Sequence, residues 1–324
     1  MRLLSGEFLG VIFRYPRAKK NNCMKKNDLI NSIVCGDSLD SLRKMPSSFV
    51  DCIVTSPPYY GQRDYAVDGQ LGNENTPHEY VSRLAQLFDE CKRVLKDTGS
   101  LWLNLGDKYL DGNLLGMPWR MALELQSRGW VLRNDIIWHK PNAMPHSAKN
   151  WLTTDHEYVF FFTKRATNYF YDQDAIREEH VTFSEKSKMR GGKNHFGKNG
   201  GTPEKGKNGG NSNLHDGRWD QAFHPNGRNK RTVWNVALSK FRDAHFAVFP
   251  EKLIEPCILA GCPRNGLVLD PFFGAGTTGL VASKLGRSYL GLELNPDYVA
   301  IAKRRLSSIQ IDLLNFSEGR DELF

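Results

Sequence analysis

Residues 56–59 form a Ser-Pro-Pro-Tyr segment, the proline turn, directly after an apolar stretch (50–55) that is predicted to be a strand. It would lie at the strand's carboxyl end, where open α/β sheets bind ligands. Two prolines remove two backbone donors, so the Ser56 hydroxyl and a backbone carbonyl remain as fixed acceptors. Such acceptors can take both hydrogens of an exocyclic amine and free its lone pair to attack a methyl group. Tyr59 would offer a flat face for an extruded base, although the segment alone is more typical of a stiff turn with core tyrosines.

A second candidate site is the glycine loop, residues 270–276, which follows a predicted strand at 266–269 and precedes a predicted helix. Its spacing is G-x-G-x-x-G, with glycines at Gly274, Gly276 and Gly279. Glycines let a ligand approach the backbone, and Glu293, at the end of the next predicted strand, could hold a ribose diol. The same spacing occurs in dinucleotide sites, in S-adenosylmethionine sites and in tight turns that bind nothing.

The position of the glycine loop favours one of these cofactors. A dinucleotide fold usually opens with such a loop, whereas only 48 residues follow Gly276 here. The other strands of the sheet must therefore come from earlier in the chain. Asp270 and Phe272 also suit a sulfonium cofactor, because a carboxylate can hold its ammonium group and an aromatic ring can contact adenine or the cation. S-adenosylmethionine fits better than a nicotinamide.

Short apolar strands alternate with amphipathic helices from residue 31 onward, which predicts an α/β fold with a mostly parallel sheet of about seven strands. The predicted strands cover 33–35, 50–55, 100–105, 134–138, 157–163, 266–269 and 288–292. The predicted helices cover 79–96, 117–128, 251–259, 277–285 and 297–306. We expect Gly99 to end the first of these helices.

One segment, 181–231, breaks this alternation. It contains ten glycines and eleven lysines or arginines against four acidic residues, so it carries +7 of the net charge of +8. Aromatic and imidazole side chains lie among the basic ones, at Phe196, Trp219, Phe223 and His224. This mixture favours an element that contacts nucleic acid. The alternative is a flexible, solvated insertion.

Composition excludes several classes of protein. The 324 residues correspond to two average domains or to one large α/β domain with an insertion. With 40% hydrophobic and 25% charged residues the chain is ordinary for a globular protein, which argues against wholesale disorder and a coiled-coil rod. It contains no run of 18 apolar residues, so we expect no membrane span. The pI near 9.1 favours a polyanionic partner.

Cysteine usage indicates a reducing compartment. No C-x-x-C pair and no zinc-like spacing is present, so we expect no metal site. We interpret the thiols as buried and reduced, which fits a cytoplasmic protein. The cysteines interpreted in this way are Cys35, Cys52, Cys91, Cys257 and Cys262.

Together these motifs resemble those of the amino-methylating DNA methyltransferases of bacterial restriction–modification systems, in the group whose catalytic motif precedes the cofactor motif. The resemblance extends over residues 33–310. It implies a Rossmann-like S-adenosylmethionine-dependent methyltransferase fold with an inserted target-recognition region, acting on double-stranded DNA beside a companion restriction endonuclease. The implied catalytic residues are Ser56, Pro57, Pro58 and Tyr59. The implied cofactor contacts are Asp37, Asp270, Phe272, Gly274, Gly276 and Glu293.

The resemblance also divides the chain. Residues 138–142 are similar to the segment beside the target-base pocket, and residues 245–250 to the stretch that closes the cofactor site. The expected divisions are a tail (1–26), a catalytic half (27–165), a basic target-recognition insert (166–231), a cofactor-binding half (232–310) and a C-terminal tail (311–324).

Ser56 bears on the substrate. Family members with serine at this position mostly methylate the 4-amino group of cytosine, and those with Asp or Asn mostly methylate adenine. The resemblance therefore implies N4 methylation of a flipped cytosine, with N6 methylation of adenine left open because serine and carboxylate both accept a hydrogen bond from an amine. Carbon-5 methylation needs a Pro-Cys nucleophile, and Cys257 lies on a predicted helix instead. More distant alternatives are a protein-amide methylase, a nicotinamide-dependent oxidoreductase and a DNA-binding module without activity.

Overall fold

The computed structural model describes residues 24–62, 67, 69–145, 147, 149–179, 226–238 and 249–318. Its strands are β1 (Ser32–Cys35), β2 (Val50–Thr55), β3 (Leu95–Leu105), β4 (Tyr109–Leu110), β5 (Asn113–Leu114), β6 (Val131–His139), β7 (His156–Thr163), β8 (Val233–Asn235), β9 (Leu267–Asp270) and β10 (Ser288–Glu293). Its α-helices are α1 (Lys26–Leu29), α2 (Ser38–Arg43), α3 (Pro77–Val94), α4 (Met117–Ser127), α5 (Glu251–Gly261), α6 (Thr277–Lys284) and α7 (Pro296–Glu318).

Eight of these strands form one sheet in the order β1-β10-β9-β2-β3-β7-β6-β8. All neighbours are parallel except at β7, which is antiparallel to both β3 and β6. The predicted α/β fold with a mostly parallel sheet is confirmed. Strand β8, which pairs with β6, was not expected from the sequence.

The strand order places the two candidate loops next to each other. Strands β2 and β9 are neighbours in the sheet although more than 200 residues separate them in the chain, and Ile53 lies opposite Leu269. Both strands are parallel, so the loops that follow them leave the same carboxyl edge. The proline turn follows β2 and the glycine loop follows β9, and the fold therefore brings them side by side.

Two hydrophobic clusters cover the faces of the sheet. Along β3, Leu101 and Leu103 face one cluster and Trp102 faces the other, because successive side chains of a strand alternate. Helix α3 packs on the first face through buried residues three and four positions apart, among them Leu84 and Phe88. Helix α5 covers the second face through a similar stripe. Covered on both sides, the central strands are apolar along most of their length.

The end of helix α3 differs from the prediction. Helix α3 ends at Val94 and β3 begins at Leu95, which pairs with Val50 of β2. Gly99 therefore lies inside a strand, and its expected role as a helix stop is wrong. A Cβ at Gly99 would lie 2.7 Å from the Asp51 carbonyl oxygen, so the close approach of these two strands requires glycine.

The cysteines within the described residues are buried with one exception. Cys52, Cys91, Cys257 and Cys262 lie in the core, where burial raises the pKa of each thiol above its usual range. Cys35 is exposed at the end of β1, an edge strand, so its interpretation as a buried thiol is wrong.

The described parts of the expected tails belong to secondary structure or pack on the fold. The Met24 N–H donates to the Lys44 carbonyl, 2.9 Å away, and α1 begins at Lys26. Helix α7 extends to Glu318, into the segment expected as a C-terminal tail. Within the described ranges, no helix is long and apolar enough to cross a membrane, and no group of side chains could hold a metal ion.

Most of the basic segment lies outside the described residues, but both of its stems are present. The Phe170 N–H donates to the Thr98 carbonyl, and the Asp172 N–H to the Ala260 carbonyl. Glu178 and Arg228 form an antiparallel backbone bridge that joins the outgoing stem to the returning one. The two stems of the segment therefore lie side by side at this bridge.

Candidate active site

The glycine loop turns sharply between β9 and α6. Gly274 and Gly276 have φ angles of +51° and +81°, which side chains other than glycine rarely adopt. A Cβ at Gly276 would also lie 2.9 Å from the Cβ of Ala302 on α7. The loop can therefore approach a ligand with bare backbone, because both the dihedral angles and the neighbouring helix demand glycine.

Phe273 supports this loop from below. Its ring is buried and stacks on Tyr289, with 6.0 Å between ring centroids. A Cβ at Gly291 would lie 2.3 Å from this ring, and a Cβ at Gly279 would lie 2.6 Å from it. The third glycine of the motif therefore makes room for Phe273. Gly291, on β10, does the same, although no sequence motif includes it.

Asp270 is 1% exposed, and both of its carboxylate oxygens are used within the fold. One oxygen accepts hydrogen bonds from the Thr55 hydroxyl at 2.6 Å and the Phe272 N–H at 3.0 Å, and the other from the Thr278 hydroxyl at 2.6 Å. Burial raises the pKa of Asp270 to about 6. Asp270 thus lies behind the cleft lining and ties the end of β2 to the glycine loop, and its predicted contact with a cofactor stays a prediction.

A cleft with an empty volume of about 930 Å³, open in part to solvent, lies between the proline turn and the glycine loop. Six of the ten predicted site residues line it: Asp37, Ser56, Pro58, Phe272, Gly274 and Glu293. The other four, Pro57, Tyr59, Asp270 and Gly276, lie outside the lining. Residues that we did not predict also line it, among them Ser38, Asn295 and Tyr298.

Glu293 lies in the cleft wall at the end of β10. Its two oxygens accept hydrogen bonds from the Gly274 N–H at 2.7 Å and the Asn295 N–H at 2.8 Å. Burial raises the pKa of this carboxyl, while the same backbone hydrogen bonds oppose the rise. Because each carboxylate oxygen has a further lone pair, Glu293 can accept two more hydrogen bonds from a ligand.

Asp37 and Ser38 bring the end of β1 to the cleft. The Asp37 carboxylate caps α2 by accepting from the Asp40 N–H at 2.8 Å. The buried Ser38 hydroxyl donates to the Pro271 carbonyl at 2.5 Å. Asp37 is thus a carboxylate in the cleft wall, and Ser38 fixes that wall to the glycine loop.

The proline turn is held from two sides. The Tyr80 hydroxyl of α3 donates to the Pro58 carbonyl at 2.8 Å. The Ser56 hydroxyl, which lines the cleft, donates to the Tyr59 hydroxyl oxygen at 3.1 Å. Ser56 is therefore a polar side chain of this turn that lines the cleft.

Tyr59 contacts two residues that we did not predict as site residues, and a third pairs with one of them. Its hydroxyl lies 2.7 Å from a carboxylate oxygen of Glu157 and 3.0 Å from the Asn104 amide oxygen, and Lys140 forms an ion pair with Glu157. Burial and the neighbouring Glu157 carboxylate raise the pKa of Tyr59. The signal that could have found two of them is a polar residue within or beside an apolar strand, which is true of Asn104 in β3 and Glu157 in β7.

A family model described as DNA methylase matches residues 50–304, a range that includes the proline turn, the glycine loop and Glu293. The chain belongs to the DNA methylase family. M.Cfr9I, a Type II methyltransferase of Citrobacter freundii, is 41% identical over 311 residues, which cover 87% of this chain and 89% of that protein. M.SmaI, a Type II methyltransferase of Serratia marcescens, is 36% identical, with 88% and 93% covered.

Solved structures share the fold of this DNA methylase. The cytosine-N4-specific PvuII DNA methyltransferase has a TM-score of 0.60 at 22% identity, over 85% of each chain. The M1.HpyAVI–SAM complex has a TM-score of 0.53 at 18% identity, over 85% of this chain and 98% of that one. The resemblance inferred from the motifs is confirmed, and family membership decides against a nicotinamide-dependent oxidoreductase.

Proposed function

We propose that this DNA methylase transfers a methyl group from S-adenosylmethionine to the N4 amino group of a cytosine, at a specific site and on a base extruded from duplex DNA. The observation that carries the proposal is the Ser56 hydroxyl, which lines the cleft beside the glycine loop. Serine at this position is the feature that the family resemblance associates with cytosine. The PvuII enzyme, which has the same fold, is cytosine-N4-specific.

The lining of the cleft fits S-adenosylmethionine. Glu293 has lone pairs left for the two hydroxyls of a ribose, and backbone N–H groups hold its carboxylate in place. Phe272 offers an aromatic ring to adenine or to the sulfonium cation. Asp37, which lines the cleft, offers a carboxylate for the ammonium group. When bound, this cofactor supplies a methyl group on positively charged sulfur, already activated for transfer.

The proline turn would prepare the amine. The Ser56 oxygen and the Pro57 carbonyl accept its two hydrogens and withdraw its nitrogen lone pair from conjugation with the base ring. Pro58, held through its carbonyl by Tyr80, keeps these two acceptors at a fixed separation. The Tyr59 ring stacks on the base. In this arrangement the nitrogen is the nucleophile, and no nucleophilic side chain is needed.

The alternative base is adenine, because the Ser56 oxygen can accept a hydrogen bond from either exocyclic amine. The deciding experiment incubates the full chain with tritiated S-adenosylmethionine and mixed genomic DNA, followed by nucleoside digestion and mass spectrometry. We expect labelled 4-methylcytosine. Labelled 6-methyladenine would overturn the base assignment and retain the scaffold, and label in protein or in no nucleoside would overturn the proposal.

The insert 166–231 would recognise the DNA sequence. Its stem also carries basic residues, among them Lys230 and Arg231, beside the positively charged sequence 180–225. We expect DNA affinity to fall steeply with salt, since bound lysines and arginines release counterions. Replacing 181–225 by a short uncharged linker, with both stems kept, should flatten the salt dependence and abolish the site preference. Equal salt dependence in both chains would contradict this use of the insert.

We also propose that the enzyme works in the cytoplasm beside a restriction endonuclease of the same site specificity, as the Type II names of its relatives suggest. DNA isolated from cells that express the chain should resist cleavage by a restriction endonuclease that recognises the methylated sequence. A modified site that every endonuclease of that specificity still cleaves would contradict this pairing.

A further inference from the structure

We propose that Glu157 acts as a positioning residue, which orients the Ser56 hydroxyl through Tyr59 and takes up the proton that the amine releases. The three residues form a hydrogen-bond relay from the cleft into the sheet. The proposal rests on the proposed amino methylation at Ser56. It holds for cytosine and for adenine alike, because both present the same kind of amine.

The relay is continuous. The Ser56 hydroxyl lies 3.1 Å from the Tyr59 hydroxyl, which lies 2.7 Å from a carboxylate oxygen of Glu157. Ser56 lines the cleft, whereas Glu157 is 15% exposed. One end of the relay therefore meets the ligand and the other end is a carboxylate largely removed from solvent.

The donors of this relay can point in only one direction. Glu157 as a carboxylate only accepts, and the other group within reach of the Tyr59 hydroxyl is the Asn104 amide oxygen, which also only accepts. The single Tyr59 proton therefore points away from Ser56, and the Tyr59 oxygen accepts the Ser56 proton. The Ser56 oxygen is left with lone pairs alone toward the cleft, which an amine hydrogen needs.

Neighbouring groups hold Glu157 in place. Lys140 pairs with one carboxylate oxygen, and the Asn104 amide nitrogen donates to the other at 3.0 Å. The same nitrogen donates to the Tyr158 carbonyl at 3.1 Å, which fixes the orientation of the amide and keeps its oxygen toward Tyr59. Lys140 itself lies over the Trp138 ring, 4.7 Å from the centroid. The carboxylate thus has a fixed position and a compensating charge.

The same relay accounts for the proton of the reaction. As the nitrogen lone pair forms the N–C bond, the electron pair of the breaking S–C bond stays on sulfur and the nitrogen becomes cationic. One amine proton then passes to the Ser56 oxygen, the Ser56 proton to Tyr59, and the Tyr59 proton to Glu157. The sum is one proton moved from nitrogen to carboxylate, and exchange with solvent restores the relay.

The test compares Tyr59→Phe and Glu157→Gln in the full chain, with steady-state methylation of DNA and cofactor binding by calorimetry. Phe keeps the ring and removes only the hydroxyl, and Gln keeps the size and removes the charge. We expect kcat to fall by about tenfold or more in each, as for a lost proton acceptor, with KM for DNA and Kd for the cofactor changed by less than about threefold. Matched controls are Tyr60→Phe, whose exposed hydroxyl donates to the Asn75 carbonyl, and Asp51→Asn, which removes a carboxylate paired with Lys96.

The double variant Tyr59→Phe/Glu157→Gln separates a relay from two independent contacts. In a relay either single change breaks the whole path, so the double variant should lose no more kcat than the more damaging single variant. The proposal would be overturned if the loss of kcat in the double variant equalled the product of the two single losses. It would also be overturned if the folded single variants kept a kcat within twofold of the controls. If wild type still makes a methylated amine, the proposed function survives that result. A wild-type product that is not a methylated amine would overturn both.

Discussion

The two loops that lie side by side at the carboxyl edge of the sheet use their polar groups in opposite ways. In the glycine loop, Asp270 spends both oxygens on Thr55, Thr278 and the loop backbone. In the proline turn, the Ser56 hydroxyl lines the cleft at one end of a hydrogen-bonded path that begins at the half-buried Glu157 carboxylate. The Asp270 carboxylate of the first loop is used within the fold and stabilises the loop's conformation. The Ser56 hydroxyl of the second loop faces the cleft.

This difference indicates that the glycine loop serves cofactor binding and that the proline turn serves the reaction of the amine. A cofactor needs backbone at a fixed position, so a buried carboxylate that ties β2 to β9 serves it indirectly. A reacting amine needs an acceptor with free lone pairs, so its partner must be reached from the cleft. Variants in the proline turn should therefore change turnover, and variants in the glycine loop should change stability and cofactor affinity.

The largest effect is expected for Ser56→Ala. The variant loses the acceptor for the amine but no contact of the glycine loop, so kcat should fall by at least about 100-fold while the cofactor Kd stays within about threefold. Steady-state methylation and calorimetry measure the two quantities. Ser127→Ala is a matched control, because that hydroxyl contacts only its own helix α4. Turnover of Ser56→Ala within threefold of the control would remove Ser56 from the reaction.

Gly291→Ala should disturb the glycine loop and leave the proline turn unchanged. The new methyl group would lie 2.3 Å from the Phe273 ring, so the ring and the glycine loop above it must shift. We expect a loss of about 1–3 kcal/mol in the free energy of unfolding and weaker cofactor binding, measured by denaturant titration and calorimetry. Adding Phe273→Leu should recover part of both losses. Unchanged cofactor affinity in the folded single variant would show that the loop does not depend on this support.

Much of the fold followed from the sequence because buried parallel strands are short and apolar. Seven of the eight strands of the sheet were anticipated in this way. Strand β8 was missed because three residues beside a basic segment carry no periodicity to detect. The adjacency of the two loops was not predicted, because it depends on the pairing of β2 with β9.

The direction in which Asp270 points could not be predicted. An acidic residue at the end of a strand can face a ligand or its own loop, and here two threonines from different elements decide the outcome. Thr55 lies more than 200 residues away along the chain, so its contact follows only from strand order. Glu157 was missed for the same reason, since its partner Tyr59 lies on another strand end.

Glu293→Gln should have a smaller effect that sharpens the comparison. Glutamine keeps one accepting oxygen but turns an NH2 group toward one of two backbone N–H donors, Gly274 or Asn295. We expect cofactor affinity to fall by about tenfold, one lost charge-assisted hydrogen bond, with kcat at saturating cofactor nearly unchanged. Calorimetry and kinetics measure these, with Glu124→Gln on α4 as a control. A fall in kcat alone would assign Glu293 to the reaction and not to binding.

The smallest effect concerns Asp270 and pH. Its pKa in the fold is about 6, above its ordinary value of 3.8, so the folded chain binds this proton more tightly than the unfolded chain. The resulting stabilisation is complete below the ordinary value and is lost as pH rises through about 6. Between pH 7 and pH 5 the wild type should therefore gain about 1 kcal/mol relative to Asp270→Asn, which does not titrate.

Denaturant titration of both proteins at the two pH values measures this difference, because all other ionisable groups are shared and their contributions cancel. Asp270→Asn retains an accepting oxygen for Thr55 or Thr278, so the variant should fold. A wild type that instead loses stability relative to the variant on acidification would mean that its carboxylate is stabilised as an anion. Asp270 would then be a charged group fit to meet a cation, and the contrast between the two loops would disappear.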